Sequence, residues 1–254
     1  MKKIALITGG ARGIGQAISS VLLKDTAMMI LIDKAEKELT QTVEELKKLN
    51  QNVKGVHLDL NDNKYLEKVI NEILVEYKYV NILINNAGIG SGVNPKMIHE
   101  YDDDFWEISL QINLTIPYKL SKCFLPGMIK KKWGRIINIA SVAGKTGFKY
   151  GGAYCASKHG LIGLTKTIAL EVAQHGITVN AICPGPIDTT MLRNRLKFEL
   201  SGSSSTMAIL EKGSNAIGRF IQPEEVANLV YYLSLEKSGA ITGEALNISG
   251  GIRL

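Results

Sequence analysis

The stretch Thr8-Gly9-Gly10-Ala11-Arg12-Gly13-Ile14-Gly15 decides the architecture. It follows an apolar run, Ile4 to Thr8, that reads as a strand. It runs into Gly13 to Lys24, where Ile14, Ala17, Ile18 and Val21 share one helical face. Glycines at 9, 10, 13 and 15 permit a tight strand-to-helix turn. They also let backbone N–H groups approach a pyrophosphate at a helix N-terminus. The spacing is TGxxxGxG rather than GxGxxG.

The same alternation continues downstream. Met28 to Asp33, Val53 to Leu58, Val80 to Asn85, Arg135 to Ala140, Ile177 to Cys183 and Ala245 to Ile248 read as strands. Between them, Ala35 to Asn50, Asn63 to Glu76, Asp102 to Lys132, Tyr154 to Gln174 and Pro223 to Leu235 read as helical, with Pro223 at a plausible N1. Strands interleaved with helices predict an α/β fold with a seven-stranded parallel sheet covered on both faces. No composition break marks a domain boundary, so residues 1–254 are expected to form a single doubly wound Rossmann domain. The polar stretch Gly185 to Gln222 is too long for an ordinary connection and is expected to be a substrate lid.

Composition narrows the class. Of 254 residues, 45% are hydrophobic and 21% charged, ordinary values for a folded chain. No apolar run approaches the ~18 residues of a membrane helix, so no membrane partner is expected. Three cysteines, Cys123, Cys155 and Cys183, cannot all pair within one chain. They form no CxxC and no zinc-ligand spacing, so no metal is expected and a reducing cytoplasm is the simplest setting. The net charge of +6 favours anionic partners only weakly. Lys130-Lys131-Lys132-Trp133-Gly134-Arg135 reads as a solvated helix end, and no nucleic-acid partner is expected.

Asp33 ends the second strand. A carboxylate there accepts hydrogen bonds from both adenosine ribose hydroxyls and repels a 2′-phosphate, which favours NAD over NADP. Arg12 and Lys34 oppose that preference, because either cation could neutralise a 2′-phosphate, so NADP stays open.

Tyr154 and Lys158 are i and i+4 on one helix face. An ordinary tyrosine is a poor base at neutral pH, and lowering its pKa by ~3 requires ~4 kcal/mol. An ammonium ~4 Å away supplies about that at an effective dielectric near 20. In the same order along the chain stand Asn85-Asn86-Ala87-Gly88, Asn113, Ser141 and Pro184-Gly185. Taken together, these motifs resemble the short-chain dehydrogenase/reductase family in its compact branch of about 250 residues. The resemblance covers essentially the whole chain.

The resemblance implies an enzyme acting on CH–OH groups with strand order 3-2-1-4-5-6-7. It implies a catalytic tetrad: Tyr154 as general acid or base, Lys158 lowering its pKa and holding the nicotinamide ribose, Ser141 on the substrate oxygen, and Asn113 anchoring a proton-carrying water chain. Cofactor contacts implied are Gly9, Arg12, Gly13, Ile14 and Gly15 at the turn and Asp33 at the ribose. Asp59 and Leu60 would meet the adenine, and Asn86, Ala87 and Gly88 would lie beside the adenosine. Pro184, Gly185, Ile187 and Thr189 would lie at the carboxamide. Family members are usually homotetramers or homodimers packed through Asp102 to Lys132 and Tyr154 to Gln174, with Ala245 to Leu254 as a second surface.

Substrate choice rests on Val142, Ala143, Phe148, Tyr150, Met191 and Leu192 as candidate walls. Arg193, Arg195 and Lys197 are candidates for a coenzyme phosphate. The stretch from Lys145 to Leu192 looks nearest to bacterial ketoreductases, which puts a 3-oxoacyl or 3-hydroxyacyl thioester first. A small secondary alcohol or polyol is the alternative, and a non-catalytic NAD-binding sensor a remote one.

Overall fold

Seven short apolar runs lie side by side in the computed structural model, which describes residues 3–189, 191–193 and 215–252. They are β1 (Ile4–Thr8), β2 (Met28–Asp33), β3 (Val53–His57), β4 (Ile82–Asn85), β5 (Gly134–Ile139), β6 (Ile177–Pro184) and β7 (Ala245–Ile248). All pair in parallel, in the order β3-β2-β1-β4-β5-β6-β7. Every residue of β4, β5 and β6 is buried. That burial on both faces explains why these strands read as continuous apolar runs rather than as alternating ones.

The helices are α1 (Gly13–Leu22), α2 (Glu36–Lys47), α3 (Asn63–Tyr77), α4 (Asp103–Leu110), α5 (Ile116–Lys131), α6 (Gly152–Val172) and α7 (Pro223–Leu233). On one sheet face, Ile18 and Leu22 of α1, Leu39 and Leu46 of α2, and Val226 and Val230 of α7 form a core. On the other, Leu66 and Ile70 of α3, Leu120 and Phe124 of α5, and Ile168 and Val172 of α6 form a second. Full burial of one such side chain is worth ~1.5–3 kcal/mol.

Local chemistry sets the ends. Asp62 Oδ1 accepts from the Tyr65 N–H at 3.0 Å and caps α3. Gln222 and Glu225 form a reciprocal capping box on α7, with Pro223 at its start. The helical region expected over Asp102 to Lys132 is divided by a π turn at Gln111–Thr115. There the Ile116 N–H donates to the Gln111 carbonyl, five residues back, and Pro117 has no N–H to give.

One expectation is corrected. Arg135 is no solvated helix end; it is 3% exposed. Its guanidinium donates to the carbonyls of Gly134, Gly176 and Leu235.

The sheet order reverses direction beside β1, whose neighbours are β2 and β4. Chain exits at such a switch point leave a crevice at the carboxyl ends of the strands, where ligands of this architecture bind. The glycine turn leaves β1 there, and Asn86-Ala87-Gly88 leaves β4.

Candidate active site

The turn after β1 is sterically committed to glycine. A Cβ on Gly15 would stand 1.9 Å from the Gly9 carbonyl oxygen, and Gly9 itself has φ +67°. The neighbouring β4 exit clamps this turn. Asn86 Nδ2 donates to the carbonyls of Thr8 (3.0 Å) and Gly9 (2.9 Å). The Asn86 and Ala87 N–H groups both donate to Thr8 Oγ1 at 3.1 Å. Asn86 therefore shapes the turn through its side chain. Thr8, a residue that sequence reasoning quoted but did not assign, is the post to which the two loops are tied.

The start of α1 is open. Arg12 stands at its N-cap with no side-chain cap, and its first turn holds no acidic residue. Helix N-termini leave several N–H groups without intrahelical partners and carry partial positive charge. This glycine-lined cradle fits a pyrophosphate, the part of a dinucleotide cofactor that the fold is expected to hold there.

Asp33 bridges two loops. Its Oδ2 accepts from the Ala11 N–H and its Oδ1 from the Ala35 N–H, both at 3.0 Å. A carboxylate offers about four lone-pair sites, so acceptor capacity remains for ribose hydroxyls. The two cations that opposed an NAD reading both face carboxylates: Arg12 lies 3.8 Å from Glu38 and Lys34 3.9 Å from Asp59. The other oxygen of Asp59 accepts from the Asn61 N–H at 2.9 Å, closing a turn, and Leu60 beside it is buried.

The four residues of the expected tetrad come from three elements at the same sheet edge. Asn113 sits inside the π turn and is fully buried. Its Oδ1 accepts from the Ile89 N–H at 2.8 Å; its Nδ2 donates to the Ile89 carbonyl and to Ser157 Oγ. The side chain thus ties the β4 exit to α6. Its main-chain carbonyl lacks the usual helical donor, because the residue four positions on is Pro117. Pro117 was the readable signal of this break, and sequence reasoning missed both it and Ser157.

Lys158 is 4% exposed, and its Nζ donates to the Ile139 carbonyl at 2.8 Å. Burial pulls its pKa down to about 8. A Cβ on Gly88 would stand 3.1 Å from Asn113 Oδ1 and 3.6 Å from Lys158 Nζ, so the three residues converge. Tyr154, one helical turn before Lys158, is half-buried, with the ammonium 5.8 Å from its ring centroid. Ser141 follows β5 and accepts at Oγ from the Ala143 N–H at 3.1 Å. The short turn it opens abuts α6, since a Cβ on Gly144 would stand 2.7 Å from the Lys158 carbonyl.

The segment after β6 runs to the glycine turn. Pro184 ends β6, and the Gly185 N–H donates to the Ile248 carbonyl. Ile187 bridges Ile221 in parallel, through Pro186 O and Asp188 N–H. In that geometry the N–H and C=O of Ile187 itself face away from Ile221. A Cβ on Gly13 would meet Thr189 Cγ2 at 3.4 Å, so Thr189 lies across the glycine turn. Of the expected lid, 190 and 194–214 lie outside the described residues, and Arg195 and Lys197 with them. Arg193 is paired in two places with Asp188.

Among the expected walls, Phe148 lies 6.4 Å, centroid to centroid, from Tyr154, and Met191 packs over Gly90. Ala143 is buried within its turn, while Val142 and Tyr150 are half-buried. Leu192 follows Met191 and is half-buried too. Ile98 and Tyr101, which sequence reasoning did not single out, pack against Gly152, two positions before Tyr154.

The short chain dehydrogenase family matches residues 3–200. A putative ketoacyl reductase of the granaticin polyketide synthase of Streptomyces violaceoruber is 38% identical, over 99% of this chain and 93% of its own. The 3-oxoacyl-acyl-carrier-protein reductase FabG of Vibrio harveyi is 37% identical, over 98% and 97%. Among solved structures, an actinorhodin polyketide ketoreductase variant with NADPH superimposes with a TM-score of 0.90 at 34% identity, covering 98% of this chain and 96% of its own.

Proposed function

This chain belongs to the short chain dehydrogenase family, and from that membership we propose that it is an NAD-linked dehydrogenase and ketoreductase of 3-oxoacyl and 3-hydroxyacyl thioesters. The single observation that carries the chemistry is the buried Lys158 ammonium one helical turn from Tyr154. When bound, the nicotinamide supplies or accepts the hydride. Tyr154 gives the proton to the nascent alkoxide in reduction and takes it from the alcohol in oxidation. Lys158 favours the phenolate electrostatically and holds the nicotinamide ribose. The Ser141 oxygen accepts from Ala143 and keeps its own hydroxyl proton to donate to the substrate oxygen. The Asn113 carbonyl, without the i+4 donor of an ordinary α-helix, holds the water that passes protons to Lys158.

Gly9, Gly13, Ile14 and Gly15 take the pyrophosphate. Asp33 takes the adenosine ribose, Asp59 and Leu60 the adenine, and Asn86, Ala87 and Gly88 the adenosine side of the crevice. Pro184, Gly185, Ile187 and Thr189 take the carboxamide. Arg12 and Lys34, each beside a carboxylate, support NAD over NADP. The NADPH of the actinorhodin ketoreductase weighs the other way. The thioester assignment draws on the ketoacyl and 3-oxoacyl reductases among the relatives. We further propose one Rossmann domain over residues 1–254, a lid over 185–222, a cytoplasmic setting, and a homotetramer or homodimer formed through α4–α5 and α6. Exposed Tyr118 and Leu170 on those helices support that packing.

The test pairs NAD and NADP with 3-hydroxybutyryl-CoA, and NADH and NADPH with acetoacetyl-CoA. NAD-linked turnover of the thioesters is expected. Preference for NADPH overturns the cofactor assignment. Inactivity on thioesters with turnover of small secondary alcohols or polyols overturns the substrate assignment and leaves the reaction class.

A further inference from the structure

We infer that Glu38 is a cofactor-selecting residue: its carboxylate draws the Arg12 guanidinium onto α2 and so withholds it from a ribose 2′-phosphate. This rests on the NAD reading above and adds to it a residue that no motif pointed to.

Arg12 follows Ala11, whose N–H donates to Asp33 Oδ2, so its backbone stands beside the carboxylate assigned to the ribose. An arginine in that place is well suited to a phosphate, because its planar fork presents several donors. Here its Nη1 instead lies 3.8 Å from Glu38 Oε1. The helix dictates that meeting. Glu38 and Thr42 are i and i+4 on α2, hence on one face. Thr42 Oγ1 donates to the Ala11 carbonyl at 2.9 Å, which fixes that face against the glycine turn.

The surrounding charge acts in the same sense. The N-terminus of α2 follows Asp33 by two residues, and a bare helix N-terminus would attract a phosphate. Glu36 and Glu38 occupy its first turn and offset that field. Lys34 is 3.9 Å from Asp59, and Lys37 lies between the two glutamates. Asp33, Glu36, Glu38 and Asp59 thus set four carboxylates against the three cations Arg12, Lys34 and Lys37. Both members of the Arg12–Glu38 pair are about half exposed, at 58% and 45%. Such a pair adds little to stability, so its consequence lies in what else Arg12 is free to bind.

The experiment is calorimetric titration of NADH and NADPH into wild type, E38Q, R12Q and the double variant R12Q/E38Q, at low and high salt. In E38Q the ratio Kd(NADH)/Kd(NADPH) is expected to rise by roughly two- to fivefold, the scale of one exposed charge interaction. The gain is expected to shrink at high salt and to vanish in the double variant. A ratio unchanged in E38Q, with wild type favouring NADH, overturns the inference and leaves the NAD reading standing. A gain that survives R12Q/E38Q overturns the role given to Arg12. Tighter binding of NADPH by wild type overturns the NAD reading and this inference together.

Discussion

The Lys158 ammonium donates to the Ile139 carbonyl at 2.8 Å from a position that is 4% exposed. Burial is the main cause that brings its pKa from 10.5 to about 8. The unfolded chain therefore binds more protons than the folded one between about pH 8 and 10.5, and this lysine makes stability rise with pH across that window. Below it the full cost is present, about 3 kcal/mol at 1.36 kcal/mol per pKa unit. Lys158→Met should accordingly raise the unfolding free energy at pH 7 by up to about that amount, and by clearly less at pH 10, while abolishing turnover. Urea unfolding of the cofactor-free protein at the two pH values measures this. An equal gain at both would contradict the burial account.

Gly15→Ala tests the pyrophosphate cradle. The added Cβ would stand 1.9 Å from the Gly9 carbonyl oxygen, so the turn must open by more than an ångström. NADH affinity should fall at least ~100-fold, because the donors of α1 would no longer share one focus. The fold should survive with a loss of ~1–3 kcal/mol, the range of ordinary packing errors. Retained affinity by fluorescence titration would mean that the cofactor does not rest on this turn.

Much of this arrangement was legible because parallel strands buried on both faces leave a strong signal. The limits read for β1, β2 and β7 match those observed, and the strand order implied by the resemblance is the observed one. Periodicity failed where a single residue was inserted. Apolar spacing over Asp102 to Lys132 continues through the π turn, because α4 and α5 bury the same face. Only Pro117, which cannot donate, marks the break. Motif reading found Asn113, Ser141, Tyr154 and Lys158 as residue types at intervals. It did not find Thr8, Ser157 or Tyr101, whose roles depend on hydrogen bonds made across 44 to 79 residues. It also could not show that Asp33 bonds two backbone amides, since that requires both loops to be folded.

Asp33→Asn separates charge from scaffold. The amide keeps one acceptor for Ala11 or Ala35 and loses the other, so a stability cost of ~1–2 kcal/mol is expected. NADH affinity should fall about tenfold, since hydrogen bonds to a charged acceptor are worth about twice those to a neutral one. NADPH should gain on NADH, because the charge proposed to face the 2′ position would be gone. Parallel titrations with both dinucleotides measure this, and an unchanged ratio would remove Asp33 from cofactor choice.

Tyr154→Phe isolates the proton-transfer step. Phenylalanine retains the ring that packs 6.4 Å from Phe148 and faces the Lys158 ammonium at 5.8 Å, so the walls of the site should stay in place. What disappears is the hydroxyl proposed to exchange a proton with the substrate oxygen. General acid–base catalysis is typically worth 10²–10⁴-fold, and kcat should fall by about that factor. NADH affinity should change less than about threefold, since Lys158, proposed to hold the ribose, is untouched. If turnover stayed within tenfold of wild type, proton transfer would have to pass through another group, and Ser141, whose oxygen already accepts from Ala143, would be the next residue to replace.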